Sequence, residues 1–436
     1  MLARSLARPL AHSLTRTLVA GDGPSFSPLD LAPFAWYDAS QETSLYDATT
    51  GGTVTALTGT VRRWEDLSGN ARHLTQAGAT SAPTLTNTSN LRGVLFDGVD
   101  DAIGRAATAT TLPCTVYCCW SPITHTINDS IWDFGTSGAR QIFRQVGSSQ
   151  MAVNGAAFCG RAPLAIPTHA AHKTATGTIS ARLNRGAFVS ATQTSSNGTV
   201  IQIASTGGTS NFGHVRMHEM LIISGLQTDE TDAKVAAYFE RKWGMTRPRL
   251  MVDGNSLSSG GVSLPVADVW PTILAPEIPS WDVVNWAVSG QNINSMAADA
   301  ALEFGRQPIP TRGKNVLVAW ECVNQLSSGA SANGAAAAAA MKTYCQARQA
   351  EGYHVICLTM LPTNAVSEAT FNACNTALRD TPSTYCNALV DIAADTTIGL
   401  WGSQSNLTYY NADALHLTAA GQLIVKDAIK AAVLSA

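Results

Sequence analysis

Arg249-Leu250-Met251-Val252-Asp253-Gly254-Asn255-Ser256-Leu257-Ser258 is the stretch that decides how this chain is read. Leu250, Met251 and Val252 form a short apolar run that stops at Asp253-Gly254. A run of this kind predicts a buried strand, and the glycine predicts a sharp turn. Ser256 then stands just past the carboxyl end of that strand, where open α/β sheets bind their ligands. A serine there is a candidate nucleophile only if a base and an oxyanion site exist elsewhere.

Downstream, apolar runs alternate with helical patterns. Strands are predicted at 250–252, 281–287, 316–320, 354–359 and 388–392, and helices at 293–304, 334–349, 367–379 and 419–434. In the last helix Thr418 is placed to cap, with Val425, Ile429, Ala432 and Val433 along one side. This alternation implies a parallel sheet covered on both faces, within a single domain. Three predicted strand ends carry chemistry: Ser256 after the first, Ser289-Gly290 after the second, and Glu321-Cys322-Val323-Asn324-Gln325-Leu326 after the third. Asp413-Ala414-Leu415-His416 precedes the last helix.

Parallel strands bring their carboxyl ends to one edge, so these loops are able to converge. Ser256 would attack, His416 would take its proton, and Asp413 would hold the imidazole tautomer. The N–H groups of Ser256 and Gly290 and the amide of Asn324 would receive an oxyanion. Taken singly, each residue is better explained as a turn or cap residue. Together, in this order, they are not.

Over 248–436 the sequence resembles the SGNH (GDSL-type) hydrolase family. Gly254-Asn-Ser-Leu257 resembles the serine block, Ser289-Gly290 the glycine block, and Glu321-Cys-Val-Asn-Gln-Leu326 the asparagine block, often written Gly-x-Asn-Asp. Asp413-Ala-Leu-His416 resembles the final Asp-x-x-His block. The resemblance implies a flavodoxin-like three-layer α/β/α sandwich and ester hydrolysis without metal or cofactor. There are three departures. Asn255 replaces Asp, Cys322 replaces Gly and Gln325 replaces Asp. None removes a group with a direct chemical role, but two carboxylates beside the site are missing. Cys322 has no base partner and reads as a packing residue.

Residues 22–245 read differently. Short β-branched and aromatic runs at 53–57, 94–96, 115–120, 141–146, 151–153, 176–183, 200–203 and 214–223 are separated by Gly/Asn/Ser/Thr turns. That spacing predicts an antiparallel sandwich or jelly roll. One helix follows Thr228, with Val235, Phe239 and Trp243 on one face and Gly244 ending it; 246–249 is a linker. Trp36-Tyr-Asp-Ala-Ser40, Trp64-Glu-Asp-Leu-Ser-Gly-Asn70 with His73, Leu95-Phe-Asp-Gly-Val-Asp-Asp101 and Lys242-Trp-Gly244 resemble the concanavalin A/laminin-G-like jelly rolls of phage tail and bacterial surface proteins. The resemblance implies a fold, and glycan binding as a further expectation. Asp97, Asp100 and Asp101 are candidate Ca²⁺ ligands, although a solvated acidic turn explains them without an ion. His214 and His218 share a strand face but lack a third ligand.

With 45% hydrophobic and 14% charged residues, the 436-residue chain is a globular one of two or more domains. A net charge of −3 without a basic stripe argues against nucleic acid. Nine cysteines with no C-x-x-C suit a protein made in a reducing cytoplasm, and no run is long enough to span a membrane. Leu2, Leu6, Leu10, Leu14 and Leu18, interleaved with Arg4, Arg8, His12 and Arg16, give 1–21 the look of a docking segment more than a transit peptide. The leading functional reading is an esterase that removes O-acetyl groups from a surface polysaccharide. By the jelly-roll resemblance it would be a virion tail or cell-surface protein, with trimeric assembly or attachment to a tail through 1–21 as further expectations. The alternatives are a catalytically dead glycan-binding adhesin and a lipase or thioesterase.

Overall fold

The computed structural model describes residues 26–436, apart from 89–90, 127–128, 136–141, 147–149, 154–156, 193–196, 261–263, 305–308 and 310–311. The expected docking segment 1–21 lies outside the described residues.

Two antiparallel sheets, of eight and nine strands among the described residues, face each other across one core. The strand Cys114–Pro122 shows why its sequence is mostly apolar: every residue in it is buried. Val116, Cys118 and Trp120 point into the space between the sheets. Tyr117 and Cys119 point the other way, onto a helix, Asp229–Lys242. Both faces of the strand are covered, so the usual polar alternation disappears. Thr228 caps the helix by accepting from the Thr231 N–H, and Asp229, Glu230 and Asp232 occupy the first turn, where the helix dipole favours acids. Val235 and Phe239 lie against the sheet. All nine cysteines are buried.

A buried carboxylate joins this helix to the sheet. Glu219 accepts hydrogen bonds from Trp36 Nε1, Tyr238 OH, Lys242 Nζ and Trp243 Nε1, each at 2.8 Å. Burial, then the charge of Asp38, pushes its carboxyl up to about 7, and Lys242 opposes the shift. Two of the separated sequence motifs, those of Trp36 and Lys242-Trp243, therefore meet on one acid. Asp66, in a third, accepts from the N–H groups of Trp36, Ser68 and Arg72, while its own N–H donates to His73 Nδ1. His218 lies between Ser121 Oγ, at 2.9 Å, and the Arg92 carbonyl, at 2.7 Å, as an ordinary core histidine.

Several strands were not foreseen. Ile103–Thr110 and Thr168–Ala175 are rich in Ala, Thr and His and pair in the middle of the sheets, where partners on both sides override weak propensity. The run at 53–57 forms only a single bridge, Val54 to Tyr46.

The second domain begins one residue earlier than the linker assignment allowed. Arg249 is the first residue of β1 (Arg249–Gly254), fully buried and 3.6 Å from Asp282. Beside β1 run β2 (Asp282–Asn285), β3 (Asn315–Trp320), β4 (His354–Leu358) and β5 (Ala388–Val390). The order is β2-β1-β3-β4-β5, all parallel. Helices α1 (Ile293–Glu303), α2 (Gly334–Ala350) and α3 (Glu368–Arg379) cover one face, packing on Met251, Leu317 and Val355. Helix α4 (Ala419–Ser435) and the short helix Trp270–Leu274 cover the other, packing on Leu250, Val252, Val316 and Ile356. These are the three expected layers, and the order reverses at β1, which sets the ligand crevice at its carboxyl end.

The domains touch at several points. Arg161 pairs with the buried Glu303 at the end of α1 and lies 5.9 Å from the Trp286 ring, which stacks with His125 at 6.5 Å. Ile309 packs into the cluster between sheet and helix in the first domain.

The Trp243→Ala substitution removes a buried ring and one of the four donors to Glu219. It is expected to destabilise the sandwich by about 3–5 kcal/mol. The check is denaturant unfolding followed by near-UV circular dichroism.

Candidate active site

The turn after β1 is shaped by a close approach. A Cβ on Gly254 would stand 2.5 Å from the Trp320 carbonyl, so only glycine lets β1 reach β3 there. Asn255 then caps a one-turn helix, Ser256–Ser259, its Oδ1 accepting the Leu257 N–H at 2.9 Å. Distant side chains pin this turn. Gln422 Nε2 donates to the Leu257 carbonyl, Asn285 Nδ2 to the Ser258 carbonyl, and Trp270 Nε1 to Ser258 Oγ. Gln422 Oε1 also accepts the Trp270 N–H.

His416 Nε2 lies 2.8 Å from Ser256 Oγ, and its Nδ1 lies 2.7 Å from Asp413 Oδ2. Asp413 Oδ1 accepts the N–H groups of Leu415 and His416. Burial tends to raise the Asp413 pKa, but bonds from the His416 ring and from those two N–H groups outweigh it and hold the carboxyl below its ordinary value. An ionised acid on Nδ1 keeps that proton in place and leaves Nε2 as the acceptor facing the serine.

The loop carrying Gly290 runs along the end of β1. Trp286 N–H donates to the Val252 carbonyl and Val288 N–H to the Gly254 carbonyl. Gly290 follows in the left-handed region, with φ +79° and an exposed backbone. Asn324 Nδ2 donates to the Gln291 carbonyl at 3.0 Å, tying the asparagine turn to the glycine loop; its second amide hydrogen remains for a ligand. Ser256, Asp413, His416, Gly290 and Asn324 are thus all carried on loops at the carboxyl edge of the sheet. The Ser256 N–H, in the first turn of its helix, completes a set of donors suited to a developing oxyanion.

The three departures resolve as follows. Asn255 Nδ2 donates to the buried Glu321 Oε2, and Glu321 Oε1 accepts the Gln325 N–H at 2.7 Å. Burial pushes Glu321 up to about 7 against the pull of these bonds. Gln325 Oε1 accepts the Ile293 N–H, and its Nε2 donates to Ser331 Oγ. Cys322 is buried, and hydrogen bonding with Cys374 together with burial pushes its thiol well up, so it is a packing residue. Glu321, Gln422, Trp270 and Asn285 were not singled out from sequence. Only Glu321 had a signal, as an acid closing an apolar strand.

Asp97, Asp100 and Asp101 lie close, with ligand oxygens within 4.8 Å of one another. Asp97 Oδ1 accepts the N–H groups of Val99, Asp100 and Asp101, Asp101 Oδ2 accepts the Asp97 N–H, and Asp100 Oδ2 accepts from Ser81. The cluster is thereby explained as a self-bonded turn.

No protein-family model matches the chain, and no curated protein sequence resembles it significantly. Among solved structures, similarity extends to a member of the lipolytic protein G-D-S-L family from Veillonella parvula, at 13% identity over 41% of this chain and 94% of that one, TM-score 0.35. The acetyl xylan esterase AlAXEase matches at 15% identity over 42% of this chain and 99% of that one, TM-score 0.31. A GH54 α-L-arabinofuranosidase matches at 15% identity over 49% of this chain and 64% of that one, TM-score 0.37. Likenesses this distant carry no functional argument, and the site geometry has to supply it.

Ser256→Ala and His416→Ala are each expected to lower kcat on p-nitrophenyl acetate by about 10³-fold or more. Asn324→Ala, which keeps nucleophile and base, is expected to cost about 10²–10³-fold. Steady-state rates of folded protein check both.

Proposed function

We propose that the chain is a serine esterase of the SGNH type that removes small acyl groups, O-acetyl above all, from a polysaccharide. The observation that carries this is the Ser256–His416–Asp413 relay, with both hydrogen bonds at 2.7–2.8 Å. Ser256 Oγ attacks the ester carbonyl as His416 Nε2 takes the hydroxyl proton. The oxyanion is received by the N–H groups of Ser256 and Gly290 and by Asn324 Nδ2. The sugar alkoxide leaves with the proton held on Nε2, and Ser256 is left acylated. Water then gives a proton to Nε2 as it attacks the acyl carbon; as the acyl–Oγ bond breaks, that proton passes to Ser256 Oγ, releasing acetic acid and restoring the free serine.

A crevice opens beside Ser256 and His416, where the acyl group of an ester would lie. It is lined by Leu257, Gly260, Leu264, Val269 and Leu417. The sugar side of the proposal rests on the first domain, read as a concanavalin A-like jelly roll serving as glycan-binding module or scaffold. Its contact with the loop that carries Trp286 and Gly290 brings it beside the catalytic edge. A virion-tail or cell-surface setting, with 1–21 as the docking segment, belongs to the same proposal.

The assembled relay weighs against a dead adhesin, and chain-length preference separates the proposal from a lipase or thioesterase. A p-nitrophenyl ester series should give kcat/KM falling at least about tenfold from acetate to octanoate. Acetylated glycans should release acetate with the wild type and not with Ser256→Ala. Rates that rise with chain length, or acetate release that survives the substitution, would contradict the proposal.

A further inference from the structure

We propose that Glu321 is a positioning residue whose buried carboxylate sets the serine turn in register with the asparagine turn; this rests on the esterase reading above. Three observations lead to it. Glu321 bridges the two turns, its Oε2 accepting from Asn255 Nδ2 and its Oε1 from the Gln325 N–H. One contact is a residue before Ser256 and the other a residue after Asn324. Gln325 in turn holds the Ile293 N–H at the start of α1, three residues beyond Gly290, so one acid reaches all three loops that present the oxyanion donors.

The second observation concerns polarity. Asn255 Oδ1 is committed to the Leu257 N–H, so only its NH₂ end faces Glu321. With Glu321 2% exposed, an aspartate at 255 would set two acids against each other out of water. The amide at 255 and the carboxylate at 321 are therefore one complementary unit, and the departure from the usual Gly-Asp-Ser-Leu pattern is explained by its partner. Third, both Glu321 oxygens are used by donors, so an uncharged amide in its place satisfies one donor and opposes the other.

The unit can be inverted. Asn255→Asp alone pairs two acids, and Glu321→Gln alone turns an NH₂ toward a donor. In N255D/E321Q the new carboxylate accepts both the Leu257 N–H and the new NH₂ group, whose amide oxygen accepts the Gln325 N–H. Each single substitution is expected to lower kcat on p-nitrophenyl acetate by about tenfold or more with KM changed less than about threefold, and the double variant to return within about threefold of wild type. Enzyme is counted by titration with a serine-reactive phosphonate, so an unstable variant is still read per folded site. Singles that keep wild-type kcat per titrated site while losing only thermal stability would overturn the assignment. So would a double variant whose loss equals the product of the two single losses. A wild type inert to both ester and phosphonate would instead remove the esterase reading, and the assignment with it.

Discussion

The hydrogen bond between Ser256 Oγ and His416 Nε2 joins residues 160 positions apart, and the proposed chemistry depends on it. It exists because parallel strands deliver their following loops to one edge. β1 lies between β2 and β3, so the serine turn has a loop on either side: Gly290 comes from one and Asn324 from the other. α4 packs on the opposite face from α1–α3, and the segment before it carries Asp413 and His416 to the same edge.

Such a site needs its loops held, because a hydroxyl displaced by an ångström is a poor nucleophile. Most of the holding is done by buried polar side chains. Gln422 ties α4 to the serine turn, Asn324 and Gln325 tie the asparagine turn to the glycine loop and α1, and Glu321 stands between them. Polar groups so placed have definite directions of donation, which makes the arrangement specific and costly to disturb singly. The sandwich uses the same device at Glu219, where four donors fasten a helix to a sheet.

How much of this was legible in sequence depended on the range of the interaction. The central strands β1, β3 and β4 are almost wholly buried and read as apolar runs, so they and the loops that follow them were legible from pattern. Ser256, Asp413, His416, Gly290 and Asn324 were named from strand ends and block spacing. Glu321 was not, because its value depends on Asn255 across the sheet, and Asn255 looked like a loss until that partner was known. The sandwich was less legible: Ile103–Thr110 and Thr168–Ala175 lack β-branched or aromatic runs, and pairing supplies what propensity does not. Arg249, charged yet fully buried in β1, was assigned to a linker because its ion partner Asp282 lies on another strand.

The central claim is that Ser256 is the nucleophile. It is tested most directly by treating the full chain with diethyl p-nitrophenyl phosphate and mapping the adduct by peptide mass spectrometry. The account predicts one diethylphosphoryl group on Ser256, with loss of esterase activity in proportion to labelling. An adduct on Ser258 or Ser259, or full activity in protein that carries no adduct at Ser256, would contradict it.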